Sequence, residues 1–268
     1  MKRANWAALL FLAAFWFVPA VANAQVYEPT VGQRGKDVIW VPTPEELIEA
    51  MLDAAAVTPD DFVVDLGSGD GRIVIAAAKR GATALGIEYN PDMVALSIHN
   101  AEEAGVSDKA SFKKADIFET DFSRATVVTM YLLPHLNLKL RPAILNLKPG
   151  TRIVSHAFDM GDWTPDKTIE KENRTAYLWI VPAKVEGSWK CRTGSDVAEL
   201  ELSQSYQNIR GTEKIDGKDL EIKSAKLNGN QISFSDGTRE YSGRVNGRSI
   251  EGIVKANGLE QHWSASLQ

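Results

Sequence analysis

The chain has 268 residues, a net charge of −5 and a hydrophobic content of 44%, enough for two modest packed domains. That acidic balance gives no general attraction to a phosphate backbone, so nucleic acid is not expected as a partner. Cys191 is the single cysteine, which excludes an intrachain disulfide and a cysteine-rich zinc site. No His and carboxylate pair has H-E-x-x-H spacing, and no metal is expected.

At the N-terminus, Lys2 and Arg3 precede an apolar run over 6–18, then Pro19 and Ala22-Asn23-Ala24. This is the layout of a secretory signal peptide over 1–24, cut after Ala24. The alternative is an uncleaved membrane anchor, although the apolar run is shorter than the roughly 20 residues of a typical spanning helix. The chain is therefore expected to be exported to the periplasm, or membrane-anchored if uncleaved.

Residues 25–36 are polar with scattered Gly and Pro and read as a loose wrap over the domain that follows. Thr43, Pro44 and Glu46 then make a capping-box signature for a helix over 44–57. Its apolar face is Leu47, Ile48, Met51, Leu52, Ala54 and Ala55.

The stretch 62–66 is a short apolar strand that runs into Gly67-Ser68-Gly69-Asp70-Gly71-Arg72 and then into an Ala-rich helix. Glycines at such a junction let the backbone approach a ligand closely, and the free N–H groups of the helix start face it. The dinucleotide fingerprint G-x-G-x-x-G would place a third glycine where Arg72 stands; the spacing here is instead D-x-G-x-G-x-G from Asp65. A second strand, 84–87, ends at Glu88, placed to take ribose hydroxyls. Asn90-Pro91 opens a helix with Val94, Ile98 and Ala101 on one face, closed by Gly105. A third strand, 110–113, leads to Asp116 and Ile117, with Asp116 suited to an adenine amino group.

The β-branched run 126–132 reads as a buried fourth strand ending at Tyr131-Leu132, followed by a helix over 135–147 that Pro149-Gly150 stops. A fifth strand covers 152–157, and the gap 158–167 is short for a crossover helix. Two further strands, 168–172 and 175–181, close the unit. This alternation argues a doubly wound α/β sheet with its ligand at the carboxyl ends of the strands, over 25–185.

From 186 to 268 helical periodicity disappears. Asp216-Gly217, Asn228-Gly229, Asp236-Gly237, Asn246-Gly247 and Asn257-Gly258 follow one another at 8–12 residue spacing, the rhythm of an antiparallel meander with hairpin turns. A small all-β barrel or sandwich of seven or eight strands is expected, bracketed by Trp189 and Trp263 and folding as a separate unit.

Asp65 to Arg72 closely resembles motif I of the class I S-adenosylmethionine (SAM) dependent methyltransferases, with a Rossmann-like sheet. Together with Val41-Pro42-Thr43-Pro44, Gly86-Ile87-Glu88-Tyr89-Asn90 and the 158–163 segment, it resembles the ATP synthase c-subunit and ADP/ATP carrier lysine methyltransferase family. The all-β segment departs from that pattern. The resemblance implies SAM as methyl donor, held by Asp65, Gly67, Ser68, Gly69, Asp70, Gly71, Glu88, Asp116 and Ile117, with Thr43 either touching the cofactor or capping a helix. It also implies a protein lysine as acceptor, in a protein that is membrane-embedded.

A lysine nucleophile must be neutral, so a dry pocket that lowers its ordinary pKa of about 10.4 is the main chemical requirement. Tyr131 is the residue expected to line that pocket, or else a packed aromatic at a strand end; His135, His156, Asp159 and Trp163 are lesser candidates. Two other readings stand beside this one: a SAM-binding sensor or scaffold, and a methyltransferase for a lipid, quinone or small molecule.

Overall fold

The computed structural model describes residues 27–215 and 217–268, so the expected signal peptide or anchor over 1–24 lies outside the described residues. The first unit is a seven-stranded sheet in the order β3-β2-β1-β4-β5-β7-β6. Its strands are β1 (Phe62–Leu66), β2 (Thr83–Glu88), β3 (Ala110–Lys114), β4 (Val127–Met130), β5 (Arg152–His156), β6 (Lys167–Lys171) and β7 (Arg174–Ile180). The first five are parallel to one another, and β7 runs antiparallel between β5 and β6. The strand order reverses between β1 and β4, which makes the crevice at their carboxyl ends the place for a ligand.

Side chains alternate strictly between two apolar layers, as a strand covered on both faces requires. Val63, Val127 and Val154 face α1 (Glu45–Ala54) and α2 (Arg72–Lys79), while Val64, Val128 and Ile153 face α4 (Pro134–Ile144). Three expectations need correction here. The α1 helix starts at Glu45 with Pro44 as its N-cap and no side-chain cap, because the Thr43 hydroxyl is taken by His156, at 3.0 Å. In α3 (Pro91–Glu103) the buried face is Met93, Leu96, Ser97 and Ala101, and Ile98 is exposed; the small Ser97 is turned inward to let the glycine loop approach. Pairing of β4 stops at Met130, so Tyr131 and Leu132 leave the ladder.

The segment between β5 and β6 holds no helix, only a bridge between Met160 and Trp163. The layer that a crossover helix would supply is filled by Trp163 and Trp179, both fully buried, with Trp179 Nε1 donating to the Trp163 carbonyl at 2.7 Å.

The second unit is antiparallel throughout: β8 (Gly187–Thr193), β9 (Asp196–Ser205), β10 (Asn208–Ile215), β11 (Lys218–Glu221), β12 (Lys223–Asn228), β13 (Gln231–Ser235), β14 (Glu240–Asn246), β15 (Ser249–Ala256) and β16 (Leu259–Leu267). Each pairs with the next in sequence except β11 with β12, and β16 returns to pair with β8. Ile222 alone separates β11 from β12, and its N–H donates to the Gly211 carbonyl at 3.0 Å. The two are halves of one bent strand that pairs with β10 on one side and β13 on the other. Counted so, the nine assigned strands make a nearly closed eight-stranded barrel, with the two ends of the sheet brought together at Ile222. The turn at Asn257-Gly258 has positive φ at both residues, 50° and 77°, as a two-residue hairpin of matching twist demands.

Trp189, Trp263, Leu200, Phe234, Tyr241 and Ile250 fill the barrel. A buried Glu213 accepts from Tyr241 Oη at 2.9 Å and from Arg239 at 3.3 Å, and Asp236 holds the other side of that guanidinium at 2.6 Å. The β9–β10 turn docks on the first unit: the Tyr206 ring stacks on Trp163 at 5.8 Å, its hydroxyl donates to Asp162 at 3.0 Å, and Gln207 accepts from Trp163 Nε1 at 3.0 Å. The expected division at 185/186 falls between β7 and β8, although Ala183 and Val185 already pack into the barrel core.

Candidate active site

The carboxyl end of β1 delivers Asp65 into the crevice, where it is 3% exposed and accepts a hydrogen bond from Thr129 Oγ1 of β4 at 2.7 Å. Burial pushes its carboxyl up to about 7, and the nearby charges of Glu88 and Asp70 add to the shift. The glycine loop beyond it is anchored from β2 and α3. Gly67 and Ser68 N–H groups donate to the Ile87 carbonyl, Gly69 N–H to Glu88 Oε2 at 3.0 Å, and Ser97 Oγ to the Gly69 carbonyl at 2.8 Å. Glu88 Oε1 accepts from Asn90 N–H at 2.8 Å, so both carboxylate oxygens are oriented by backbone amides.

A cavity of about 270 Å³ lies above this loop. Thr43, Asp65, Gly67, Ser68, Gly69, Asp70, Glu88, Asp116, Ile117 and Tyr131 all line it. Gly71 does not. It is the left-handed N-cap of α2, with φ 82°, and a Cβ there would sit 2.8 Å from the Phe112 ring and 2.9 Å from Ser97 Cβ. Its role is close packing of loop against β3 and α3. Asp70 turns its carboxylate to a fork with Arg72, at 2.9 and 2.6 Å, and Arg72 also donates to the Thr43 carbonyl at 3.0 Å.

Two features were not read from the sequence. Residues 32–40 form a tight hairpin over the cavity, with the Gly35 N–H on the Val38 carbonyl, the Trp40 N–H on the Gln33 carbonyl and an Arg34–Ile39 bridge. Trp40 packs on the glycine loop, its Nε1 only 2.8 Å from where a Cβ on Gly69 would stand. From the same hairpin Lys36 pairs with Asp116 and lies 4.8 Å over the Tyr89 ring, and it holds the Asp116 carboxyl below the usual carboxylate range. The paired glycines, Gly32 and Gly35, and the short apolar run Val38-Ile39-Trp40-Val41 were the available signal. The second feature is the wall formed by Leu133, Leu136 and Phe158.

Of the lesser candidates, His135 and Asp159 are exposed, and Asp159 accepts from the Gly161 N–H at 3.0 Å; Trp163 belongs to the interface with the barrel. His156 is buried directly behind Tyr131, with ring centroids 3.8 Å apart.

The donor set fits SAM. A buried carboxylate with no cation beside it among the described residues suits the ammonium of the methionine moiety, and Glu88 at the neighbouring strand end suits a ribose. Ser68 Oγ is buried with no hydrogen-bond partner among the described residues and lies against Gly86 of β2. Strand order, glycine loop and acidic strand ends together define a class I SAM-dependent methyltransferase.

A family profile described as the ANTKMT methyltransferase domain matches residues 65–167. A protein-lysine N-methyltransferase of Saccharolobus islandicus is 46% identical over 151 residues, 54% of this chain and 94% of that protein. The ATP synthase c-subunit lysine N-methyltransferase of Homo sapiens is 33% identical over 167 residues, 62% of this chain and 71% of that one. A solved structure of an RNA methyltransferase from Salinibacter ruber in complex with S-adenosyl-L-homocysteine is 52% identical, with a TM-score of 0.53, covering 54% of this chain and 96% of that one. The chain belongs to the ANTKMT methyltransferase family, and SAM is its methyl donor.

Proposed function

We propose that this enzyme methylates the side-chain amine of a protein lysine at a membrane surface, the cofactor being held by the cavity-lining residues above. The observation that carries the reading is the acceptor side of the cavity, where Tyr131, Leu133, Leu136 and Phe158 present aromatic and aliphatic surface. Tyr131 and Phe158 lie with ring centroids 6.2 Å apart and planes inclined by 29°, and the two acids nearest in sequence, Asp159 and Asp162, are exposed and engaged by Gly161 and Arg141.

Such a wall disfavours the charged form of a lysine and admits the neutral amine. SAM supplies a methyl group on a sulfonium sulfur. The lysine nitrogen donates its lone pair to that carbon as the carbon–sulfur bond breaks, and the extra proton passes to water. Alignment and exclusion of water are then the chain's chief contributions, and the hairpin 32–40 covers the opposite side of the cleft. The names of the Saccharolobus and human relatives support the lysine acceptor.

A membrane location is supported by the apolar run at 6–18 and by exposed Ile39 and Leu133 at the cleft. RNA is the second reading, favoured by the name of the Salinibacter relative; the net charge of −5 opposes it. Incubating membranes, soluble protein and total RNA separately with labelled SAM tests the choice. Label on lysine of membrane protein is the expected result, whereas label confined to RNA, lipid or small molecules overturns it.

A further inference from the structure

We propose that His156 is a positioning residue for methyl transfer, fixing the Tyr131 ring against the acceptor and tying it to the glycine loop through Thr43. The inference rests on the reading of Tyr131 and Phe158 as the acceptor wall. His156 is the last residue of β5, is 1% exposed and does not line the cavity, so it touches neither cofactor nor acceptor.

Its imidazole makes two defined contacts. Nδ1 lies 3.0 Å from Thr43 Oγ1, and the ring faces that of Tyr131 at 3.8 Å between centroids, tilted by 34°. Burial, with Arg174 nearby, pushes its pKa down to about 4. The ring is therefore neutral at neutral pH and packs on an aromatic face as an uncharged plate.

Tyr131 needs such a support. It follows the end of β4, just beyond the last ladder pairs of that strand, Leu66–Met130 and Met130–Ser155, so its side chain stands at the rim of the sheet. The hydrogen bond to Thr43 fixes the rotation of His156, and Thr43 is itself held by its carbonyl to Arg72, whose guanidinium forks onto Asp70 in the glycine loop. An unbroken line of contacts thus runs from the cofactor loop to the acceptor wall: Asp70, Arg72, Thr43, His156, Tyr131. In-line displacement tolerates little misplacement, and about 1 Å costs up to about a hundredfold in rate.

Two variants separate the contacts. His156→Phe keeps a ring under Tyr131 and removes the bond to Thr43; His156→Asn keeps a group that bonds Thr43 and removes the ring. SAM affinity by calorimetry and turnover of label from SAM into cell-envelope protein are measured for each in the full chain. Both variants are expected to bind SAM within about twofold of wild type, with turnover about tenfold or more lower in His156→Asn and an intermediate loss in His156→Phe.

Placing His156→Asn in a Tyr131→Ala background is expected to cost nothing further, because the effect passes through that ring. Turnover of His156→Asn within twofold of wild type overturns the proposal. So does a loss of SAM affinity in step with turnover, or an undiminished penalty in the Tyr131→Ala background. A wild-type chain that labels no lysine refutes the acceptor reading instead, and the same comparison is then made on whichever acceptor carries the label.

Discussion

Replacing Asp65 by Asn should make the protein more stable and unable to hold its cofactor. The carboxyl is buried and pushed up to about 7 from an ordinary 3.8. As pH rises from about 4 to 7, the unfolded chain therefore gives up a proton that the folded one keeps, and folding is increasingly disfavoured; above 7 the cost is constant. A shift of about 3 units at about 1.4 kcal/mol each is a cost of about 4 kcal/mol.

Asn does not ionise and still accepts from Thr129 Oγ1, but its amide protons lack an evident acceptor, returning roughly 1–2 kcal/mol. The net gain of roughly 2–3 kcal/mol corresponds to about 5–10 °C in Tm for a chain of this size. Loss of a buried carboxylate opposite the ammonium of SAM costs at least about 2 kcal/mol of binding, a weakening of about thirtyfold or more. Thermal denaturation without SAM at pH 5 and pH 8, with calorimetric titration of SAM at pH 8, measures both. A variant less stable than wild type at pH 8, or one whose SAM affinity stays within threefold, would refute the reasoning.

Three further outcomes are expected. Glu88→Ala should weaken SAM binding about tenfold or more by removing hydrogen bonds to a charged acceptor worth roughly 1.5–3 kcal/mol each, and Gly69→Val should abolish binding because φ is 56° and its Cβ meets Trp40; unchanged calorimetry for both would remove the assignment. A chain ending near Lys184 should still fold and bind SAM, since the barrel has its own core, but with a lower Tm because Tyr206 no longer covers Trp163; circular dichroism showing no folded structure would mean the two units share one core. Wild-type SAM binding should weaken as pH falls below about 7, by up to about tenfold per pH unit, as Asp65 takes up a proton; a flat affinity between pH 5.5 and 8 would contradict a raised Asp65.

The alternation of strands and helices and the cofactor loop were legible because continuous apolar strands, the glycine triplet and the acids at strand ends are local signals. Asp65, Glu88 and Asp116 sit at three neighbouring strand ends, as their spacing requires. Contacts made across the chain were not legible. Thr43 carries every mark of an N-cap, yet its hydroxyl bonds His156, 113 positions away. Gly71 reads as a cofactor-loop glycine, and only the approach of Phe112 and Ser97 shows why a side chain is excluded there. The hairpin 32–40 is stabilised by what it covers, and nine residues with two glycines, a polar half and a short apolar end are too few to carry a periodicity from which to infer it.

The central claim is transfer of a methyl group to a neutral lysine amine. Its most direct test is the reaction of purified enzyme with labelled SAM and isolated membranes across pH 7 to 9, followed by acid hydrolysis and identification of the labelled amino acid. Methylated lysine whose initial rate at saturating SAM rises with pH, as more of the amine is deprotonated, is the predicted result. Label on any group other than a lysine nitrogen, or a rate that falls over that range while SAM stays bound, would contradict it.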